Sequence, residues 1–181
     1  MVPESRLEST EHGLVPKGEG WFVLNLRDAQ WRGAPGRGAI CDLEGEPEFS
    51  QLGIHLFVLG PGEPMAMYHW EVDQEDFLVL AGDAVLIVEG EARPLRRWDF
   101  VHCPAGTKHV IVGAGDGSCV VVAVGARTAG STGPDWGGYT VDDIALRHGA
   151  GVAQETTDEH ETYARVGRRE PTRYREGWLP R

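Results

Sequence analysis

The sequence predicts an all-β protein, built as a sandwich or barrel of antiparallel strands. Short runs of β-branched and aromatic residues recur along the middle of the chain, each bounded by turn residues. No helical pattern separates one run from the next, and strands at this spacing are typical of sandwiches and barrels. The predicted strands are Ile54–Leu59, Met65–Glu71, Glu75–Ala81, Ala84–Glu89, Phe100–Cys103, His109–Val112 and Cys119–Val124.

The length and the charge limit what the protein is expected to do. A chain of 181 residues suits one domain with a sizeable core. The net charge of -11, from 17 basic and 28 acidic residues, argues against nucleic acid or an anionic membrane as a partner. The sequence contains no apolar run long enough to cross a bilayer and no N-terminal leader, so we expect a cytoplasmic protein.

The cysteines predict neither a disulfide framework nor a thiolate zinc site. Cys41, Cys103 and Cys119 are odd in number and lack the C-x2-C spacing that such sites use. We therefore expect reduced, buried thiols.

The N-terminal part of the chain lies outside the regular strand pattern. Residues 1–19 are rich in Glu, Ser, Gly and Pro and show no period, which predicts a flexible arm. A barrel with one N-terminal strand is predicted over residues 20–127. That strand is Trp21–Leu26, and the turn-rich segment Gly33–Gly38 separates it from the barrel. We expect the tryptophan rings of this region to pack on a core or on a second subunit.

Residues 128–181 are predicted to form a linker, a short helix and a tail. Thr128–Gly138 is rich in Gly, Ser, Thr and Pro, and Val141–Gly149 has a helical pattern with Thr140 as its N-cap. The tail, Gln154–Arg181, is polar with isolated apolar side chains. It is expected to wrap on the barrel or on a partner subunit, and a lid over the barrel mouth is the alternative. Its apolar anchors are Tyr163, Tyr174, Trp178 and Leu179.

Two short stretches of the barrel carry metal-ligating residue types. Alternation along a strand places His69 and Glu71 on one face. Glu75 follows a bend and begins the next strand, and His109 begins a strand further along the chain. Two imidazoles and at least one carboxylate could converge from these strands, which is a ligand set that borderline divalent metals prefer. We therefore expect one divalent metal ion per chain, which is iron, manganese, nickel or zinc.

The spacing of these residues resembles the two motifs of the cupin superfamily, G-x5-H-x-H-x3/4-E-x6-G and G-x5-P-x-G-x2-H-x3-N. Six residues, instead of five, follow the first glycine, and Glu71 replaces the second histidine. Trp98 and Gly113 stand where the second motif has its first glycine and its asparagine. The resemblance spans residues 50–127 and implies a single jelly-roll barrel, the double-stranded β-helix. The matching residues are Gly62, His69, Glu75, Gly82, Pro104, Gly106 and His109.

The ligand spacing also resembles that of the 3-hydroxyanthranilate dioxygenases, cupins whose iron is held by H-x5-E and by a histidine that follows P-A-G-T-P. His69 and Glu75 match the first piece, and Pro104–His109 matches the second. The resemblance implies a facial set of two histidines and one carboxylate with open positions, and hence a dioxygenase-type reaction. The arginines that hold the substrate carboxylate of that family have no clear counterpart here; Arg93, Arg96 and Arg97 are candidates only by count.

Several functional alternatives stay open at this point. Glu71 is a fourth ligand, a carboxylate that holds His69, or a general base. The whole protein is a metal-dependent enzyme acting on a small molecule, a metal-dependent isomerase, or a cupin that binds a small molecule or sugar without catalysis.

The predicted barrel interior is apolar, which favours a small, partly aromatic or aliphatic ligand. Phe57, Phe77, Val79 and Ile111 are expected to face inwards and to line the pocket. His55 and His102 are either further pocket residues or plain packing residues. A homodimer is expected because the aromatic N-terminal strand and the long tail exceed what one small barrel needs.

Overall fold

The computed structural model describes residues 1–128, 135–164 and 166–180. Strands dominate these residues, and the helices are short. The elements are β1 (Arg6–Thr10), β2 (Gly13–Lys17), β3 (Gln30–Ala34), β4 (Arg37–Asp42), β5 (Leu52–Leu59), β6 (His69–Glu71), β7 (Glu75–Ala81), β8 (Asp83–Val88), β9 (Glu91–Arg96), β10 (Phe100–Cys103), β11 (His109–Ala114), β12 (Cys119–Ala126), β13 (Gly137–Tyr139), α1 (Asp143–Arg147), α2 (Glu159–Tyr163) and β14 (Glu170–Arg173).

Two large sheets form the walls of one barrel. The seven-stranded sheet has the order β10-β7-β12-β5-β4-β3-β14, and the five-stranded sheet has the order β13-β6-β11-β8-β9. Side chains from both sheets meet in one core, with Phe57 and Val121 from the first and Leu86 and Ile111 from the second. Because the two sheets share this core, they pack face to face. The all-β prediction is confirmed.

The predicted strands that carry the site agree closely with the structure. Glu75–Ala81 and Phe100–Cys103 have the predicted bounds, and β5, β11 and β12 are each two residues longer than predicted. The predicted strand Met65–Glu71 is shortened to β6, because the backbone of Met65 and Tyr68 bonds to Ile111 and Ala150 outside a regular ladder.

Five strands of the two large sheets, which are β3, β4, β9, β13 and β14, were not predicted. The segment Gly33–Gly38, predicted to separate a strand from the barrel, instead contains the end of β3, the start of β4 and the two-residue turn between them, with Gly36 at a φ of 71°. In β9 only Leu95 is buried. This strand lies at the edge of the five-stranded sheet, where a polar sequence and a proline at position 94 are tolerated. Edge position thus removes the apolar alternation by which the other strands were recognised.

The predictions for the first 26 residues are wrong. The supposed flexible arm of residues 1–19 contains the β1–β2 hairpin, whose end is fixed by Ser5, since its Oγ accepts from Gly20 N at 2.8 Å and donates to Gly18 O at 3.1 Å. The strand predicted at Trp21–Leu26 does not form; Trp21 makes one isolated bridge to Glu4. Main-chain hydrogen bonds that depend little on side-chain type hold this hairpin, so composition alone did not indicate it.

The C-terminal tail packs on the outer face of the seven-stranded sheet. Strand β14 pairs with β3, and Thr172 lies opposite Trp31. Trp31 is completely buried, with its ring centroid 5.1 Å from that of Trp178 and 6.2 Å from that of Tyr174. The tail therefore wraps on its own barrel, which was one of the predicted alternatives.

The segment before the tail differs from the prediction in three respects. Of the predicted linker Thr128–Gly138, residues 129–134 lie outside the described residues, and its end belongs to β13, which pairs with β6. The helix is shorter than Val141–Gly149, and its N-cap is Asp142, whose side chain accepts from Ala145 N at 2.8 Å. The short helix α2 was not predicted. None of the described helices is long and apolar enough to span a membrane.

Candidate metal centre

Three ligand atoms converge inside the barrel where β6, β7 and β11 begin. His69 and His109 lie directly opposite each other across the β6–β11 pair. Glu75 Oε2 is 3.3 Å from His109 Nε2 and 3.7 Å from His69 Nε2. One ligand atom of each of the three residues lies within 4.8 Å of the others. The predicted residues are thus brought together from three different strands.

Backbone carbonyls orient both imidazole rings. His69 Nδ1 lies 2.7 Å from the carbonyl oxygen of Met67, and His109 Nδ1 lies 3.0 Å from that of Thr107. A carbonyl oxygen only accepts, so each Nδ1 carries the proton. In the neutral ring, Nε2 then presents its lone pair to the site, as metal-bound histidines require.

Two buried polar atoms of the centre, Glu75 Oε2 and His109 Nε2, make no well-aligned hydrogen bond among the described residues, although they lie 3.3 Å apart. Buried polar groups in proteins are nearly always hydrogen-bonded or bound to an ion. Two imidazole nitrogens and a carboxylate oxygen fit a divalent metal, which would satisfy both atoms at once. The residues present therefore fit the implied metal.

The carboxyl of Glu75 and the imidazole of His109 shift each other's pKa. Burial disfavours the charged form of Glu75, but His109 and His69 outweigh burial and lower the pKa of this carboxyl. Burial lowers the pKa of His109, but its contacts with Cys103 and Glu75 reverse the effect and raise the pKa to about 10. In the metal-free protein this favours a carboxylate beside an imidazolium, and a divalent metal would have to displace that proton.

Glu71 lies at the rim of the centre and outside the three-residue group. Its Oε1 is 3.6 Å from His69 Nε2, and its side chain is 28% exposed, whereas that of Glu75 is 15% exposed. A carboxylate at this place touches one ligand and also reaches the solvent side. Because Met67 O already occupies the orienting nitrogen Nδ1 of His69, this geometry favours a fourth ligand or a carboxylate that moves a proton over one that holds His69.

The predicted pocket residues fall into two groups. Phe57, Phe77, Val79 and Ile111 belong to the barrel core, and the ring of Phe77 lies 5.2 Å from that of His109.

His55 and His102 occupy different sides of the sheet. His55 is on the inner face beside Phe57, and its Nδ1 lies 3.0 Å from Asp42 Oδ1. The prediction that His102 lines the pocket is wrong: Val101 and Cys103 pack inwards, so the alternation of β10 turns His102 outwards, where it pairs with Asp76 at 2.6 Å.

Sequence reasoning missed an aromatic wall over the site. The rings of Tyr139 and Trp136 lie 6.1 Å and 6.3 Å from that of His69, and Tyr163 lies edge-on to Tyr139 at 5.9 Å. Burial raises the pKa of Tyr139. These residues come from the predicted linker and tail, and the only available signal was the presence of aromatic residues among Gly, Ser and Thr.

Comparison with known proteins identifies the barrel. The family model described as "Cupin domain" matches residues 55–125. Residues 55–125 therefore match a cupin domain, which confirms the resemblance of the motifs. No curated protein matches the sequence significantly.

Two solved structures with TM-scores above 0.5 support the same fold. A sugar phosphate isomerase from Silicibacter pomeroyi, described as belonging to a cupin superfamily, aligns with 28% identity and a TM-score of 0.52. The alignment covers 59% of this chain and 76% of that chain. A predicted oxalate decarboxylase from Thermotoga maritima aligns with 17% identity and a TM-score of 0.53, covering 59% of this chain and 100% of that chain. A protein from Acidithiobacillus ferrooxidans aligns with 28% identity and a TM-score of 0.46, and this chain spans 62% of its length.

The two departures from the second cupin motif have backbone explanations. Trp98 stands where the motif has glycine, and its φ of 75° lies in the left-handed region that glycine favours. At Gly113, which replaces the asparagine, a Cβ would approach Gly60 O to 2.2 Å, so a side chain does not fit. Neither departure touches the three converging residues.

Proposed function

We propose that this protein binds one divalent metal ion through His69, Glu75 and His109 and acts on a small molecule in the barrel. The single observation that carries this proposal is the convergence of one ligand atom each from His69, Glu75 and His109 within 4.8 Å of one another. The cupin domain supports it, because the three residues stand at metal-binding positions of the motif.

The reaction that we propose first is of the dioxygenase type. Fe(II) held by two histidines and one carboxylate keeps open positions and supplies oxygen activation. The chain itself positions the ligands and limits access of water to the centre. Backbone carbonyls orient both imidazoles, and the buried rings of Phe57 and Phe77 exclude water from the inner side. The apolar walls favour a partly aromatic or aliphatic substrate.

The test is the metal content of the purified protein, followed by oxygen uptake with catechols, aminophenols and thiols. We also expect anaerobic Fe(II) protein to give an iron–nitrosyl spin signal with nitric oxide. Iron-loaded protein with no nitrosyl signal and no oxygen uptake would contradict the dioxygenase proposal and favour the non-catalytic binding cupin.

A metal-dependent isomerase is the second candidate, and Glu71 favours it. A carboxylate 3.6 Å from His69 Nε2 and partly exposed is placed to move a proton on a bound substrate. The similarity to the sugar phosphate isomerase from Silicibacter pomeroyi supports this candidate. Exchange of a substrate proton with deuterated solvent, without oxygen uptake, would distinguish it from the dioxygenase.

Replacing Glu71 by glutamine is expected to separate the roles of this residue. Because Glu71 lies outside the three-residue group, we expect metal affinity to change by less than about threefold, whereas loss of a general base slows turnover by about 10²- to 10⁴-fold. Competition with a chelating dye measures the affinity. Glu91→Gln, which removes an exposed carboxylate paired with Arg93, is the matched control. A large fall in metal affinity for Glu71→Gln alone would instead make it a ligand.

We also propose a homodimer, in which the edge strand β10 of each copy is covered by the other. Trp31 and Trp178 pack on each other within the chain and are not left for a partner. However, Phe100 is 64% exposed on β10, an edge strand, and Trp98 beside it is 62% exposed. A second copy would cover this edge. Light scattering at micromolar concentration should give twice 19.8 kDa, and a monomer mass for the wild type would contradict the proposal.

A further inference from the structure

A cavity that is lined mainly by arginines contains none of the three converging residues His69, Glu75 and His109 in its lining. Its volume is about 290 Å³, and four guanidinium groups face one carboxylate, that of Glu159. This concentration of positive charge contrasts with the net charge of -11 of the whole chain. The lining residues are Arg32, Arg37, Glu159, Tyr163, Arg168 and Arg169.

The cavity is built from two distant parts of the sequence. Arg32 and Arg37 come from the β3–β4 hairpin, whereas Arg168 and Arg169 precede β14 in the tail. Arg169 connects the tail to the barrel, because its Nε donates to Gly38 O at 2.7 Å and its Nη2 donates to Met65 O at 2.9 Å. The arginines are therefore held together by the fold and are not a loose surface patch.

Among the described residues, the guanidinium groups of Arg37, Arg168 and Arg169 have no carboxylate within ion-pair distance. Arg37 is only 7% exposed; its Nη1 donates to Gly167 O at 2.9 Å, and its guanidinium lies 4.0 Å from the ring centroid of Tyr163. Within the described residues, no carboxylate lies within ion-pair distance of Arg37 or Arg169, whereas Arg32 binds Asp42 through two bonds of 2.8 Å. Burying a charge without a counter-ion is unfavourable.

The unpaired guanidinium groups also affect each other. Burial lowers the pKa of Arg169 to about 10, and the neighbouring Arg37 adds to this effect. Each guanidinium has five N–H donors. Among the described residues, Arg37 uses one of them in its hydrogen bond to Gly167 O. A cavity that combines available guanidinium N–H donors with positive charge lacking a counter-ion has the features of an anion-binding site.

We propose that this cavity binds an oxyanion, the phosphate or carboxylate group of a small molecule, between Arg37, Arg168 and Arg169. Guanidinium forks match both groups by paired hydrogen bonds. The cavity lies at the lower end of ligand-pocket sizes, about 300–1,000 Å³, which suits the charged end of a small molecule. The site needs no metal, so it stands independently of the proposed function.

The test is calorimetric titration of metal-free protein with inorganic phosphate and, separately, with benzoate. Metal-free protein excludes direct coordination of the anion by a metal. We expect saturable binding of one anion per chain by at least one probe, and the tighter probe identifies the preferred group. The absence of saturable binding by both would overturn the proposal.

Variants locate the site. Arg168→Gln removes an exposed guanidinium that contacts only His160 among the described side chains, so its fold should survive, and we expect anion affinity to fall at least about tenfold. Arg169→Lys keeps the charge but loses the fork and should also weaken binding. Arg6→Gln, on β1 with a side chain 77% exposed, makes the same charge change outside the cavity and should leave affinity unchanged. Equal losses in Arg168→Gln and Arg6→Gln, or none in Arg168→Gln and Arg169→Lys, would overturn the assignment.

Discussion

The His109→Ala protein is expected to lose most of its bound divalent metal. His109 is 1% exposed and supplies one of three converging ligand atoms. Outer partners of a metal ligand are already worth about 10- to 100-fold in metal affinity. Loss of a direct ligand should therefore lower the affinity by at least about 100-fold, and His69→Ala should have a similar effect. Elemental analysis after dialysis against a weak chelator measures the remaining metal.

A matched control separates the centre from histidines in general. His102→Ala removes an imidazole from β10, one strand away from β7, but its side chain is 51% exposed and points out of the barrel. We expect this variant to retain full metal content. Circular dichroism should establish that all three variants are folded. Wild-type metal occupancy in both His69→Ala and His109→Ala would show that the metal, if present, is held elsewhere.

Replacing Trp31 by alanine should produce the largest loss of stability. The side chain is completely buried between the seven-stranded sheet and the tail, and its Nε1 donates to Leu26 O at 2.8 Å. Truncation of a buried tryptophan costs about 3–5 kcal/mol, and here it also leaves a carbonyl without its donor. Urea denaturation measures the free energy of unfolding.

Trp31 also holds the tail through Tyr174 and Trp178, so Trp31→Ala should increase proteolysis between α2 and the C-terminus. Trp21→Ala is the control, because this tryptophan is 53% exposed and lies outside the β10 edge at which the homodimer is proposed. We expect that control to change the free energy of unfolding by less than about 1 kcal/mol. Similar losses in the two variants would mean that the tail does not depend on Trp31.

The sequence by itself determined the barrel and the three converging residues. Strands β7 and β10 were predicted with their observed bounds. In a strand with one buried face, apolar and polar residues alternate with a period of two, and this pattern is visible in the sequence. His69, Glu75 and His109 were recognisable because each is tied to a strand start at a fixed motif spacing. Local periodicity and spacing are properties that one stretch of chain carries alone.

Only the tertiary structure decided which remote segments meet at the site. Tyr139 lies against His69 because β13 pairs with β6, and Arg169 reaches Gly38 because β14 pairs with β3, the neighbour of β4. His102 was assigned to the wrong side because its direction depends on which face of β10 is covered by the second sheet. Contacts between residues far apart in sequence depend on the packing of the whole chain, and no local pattern of residues records them.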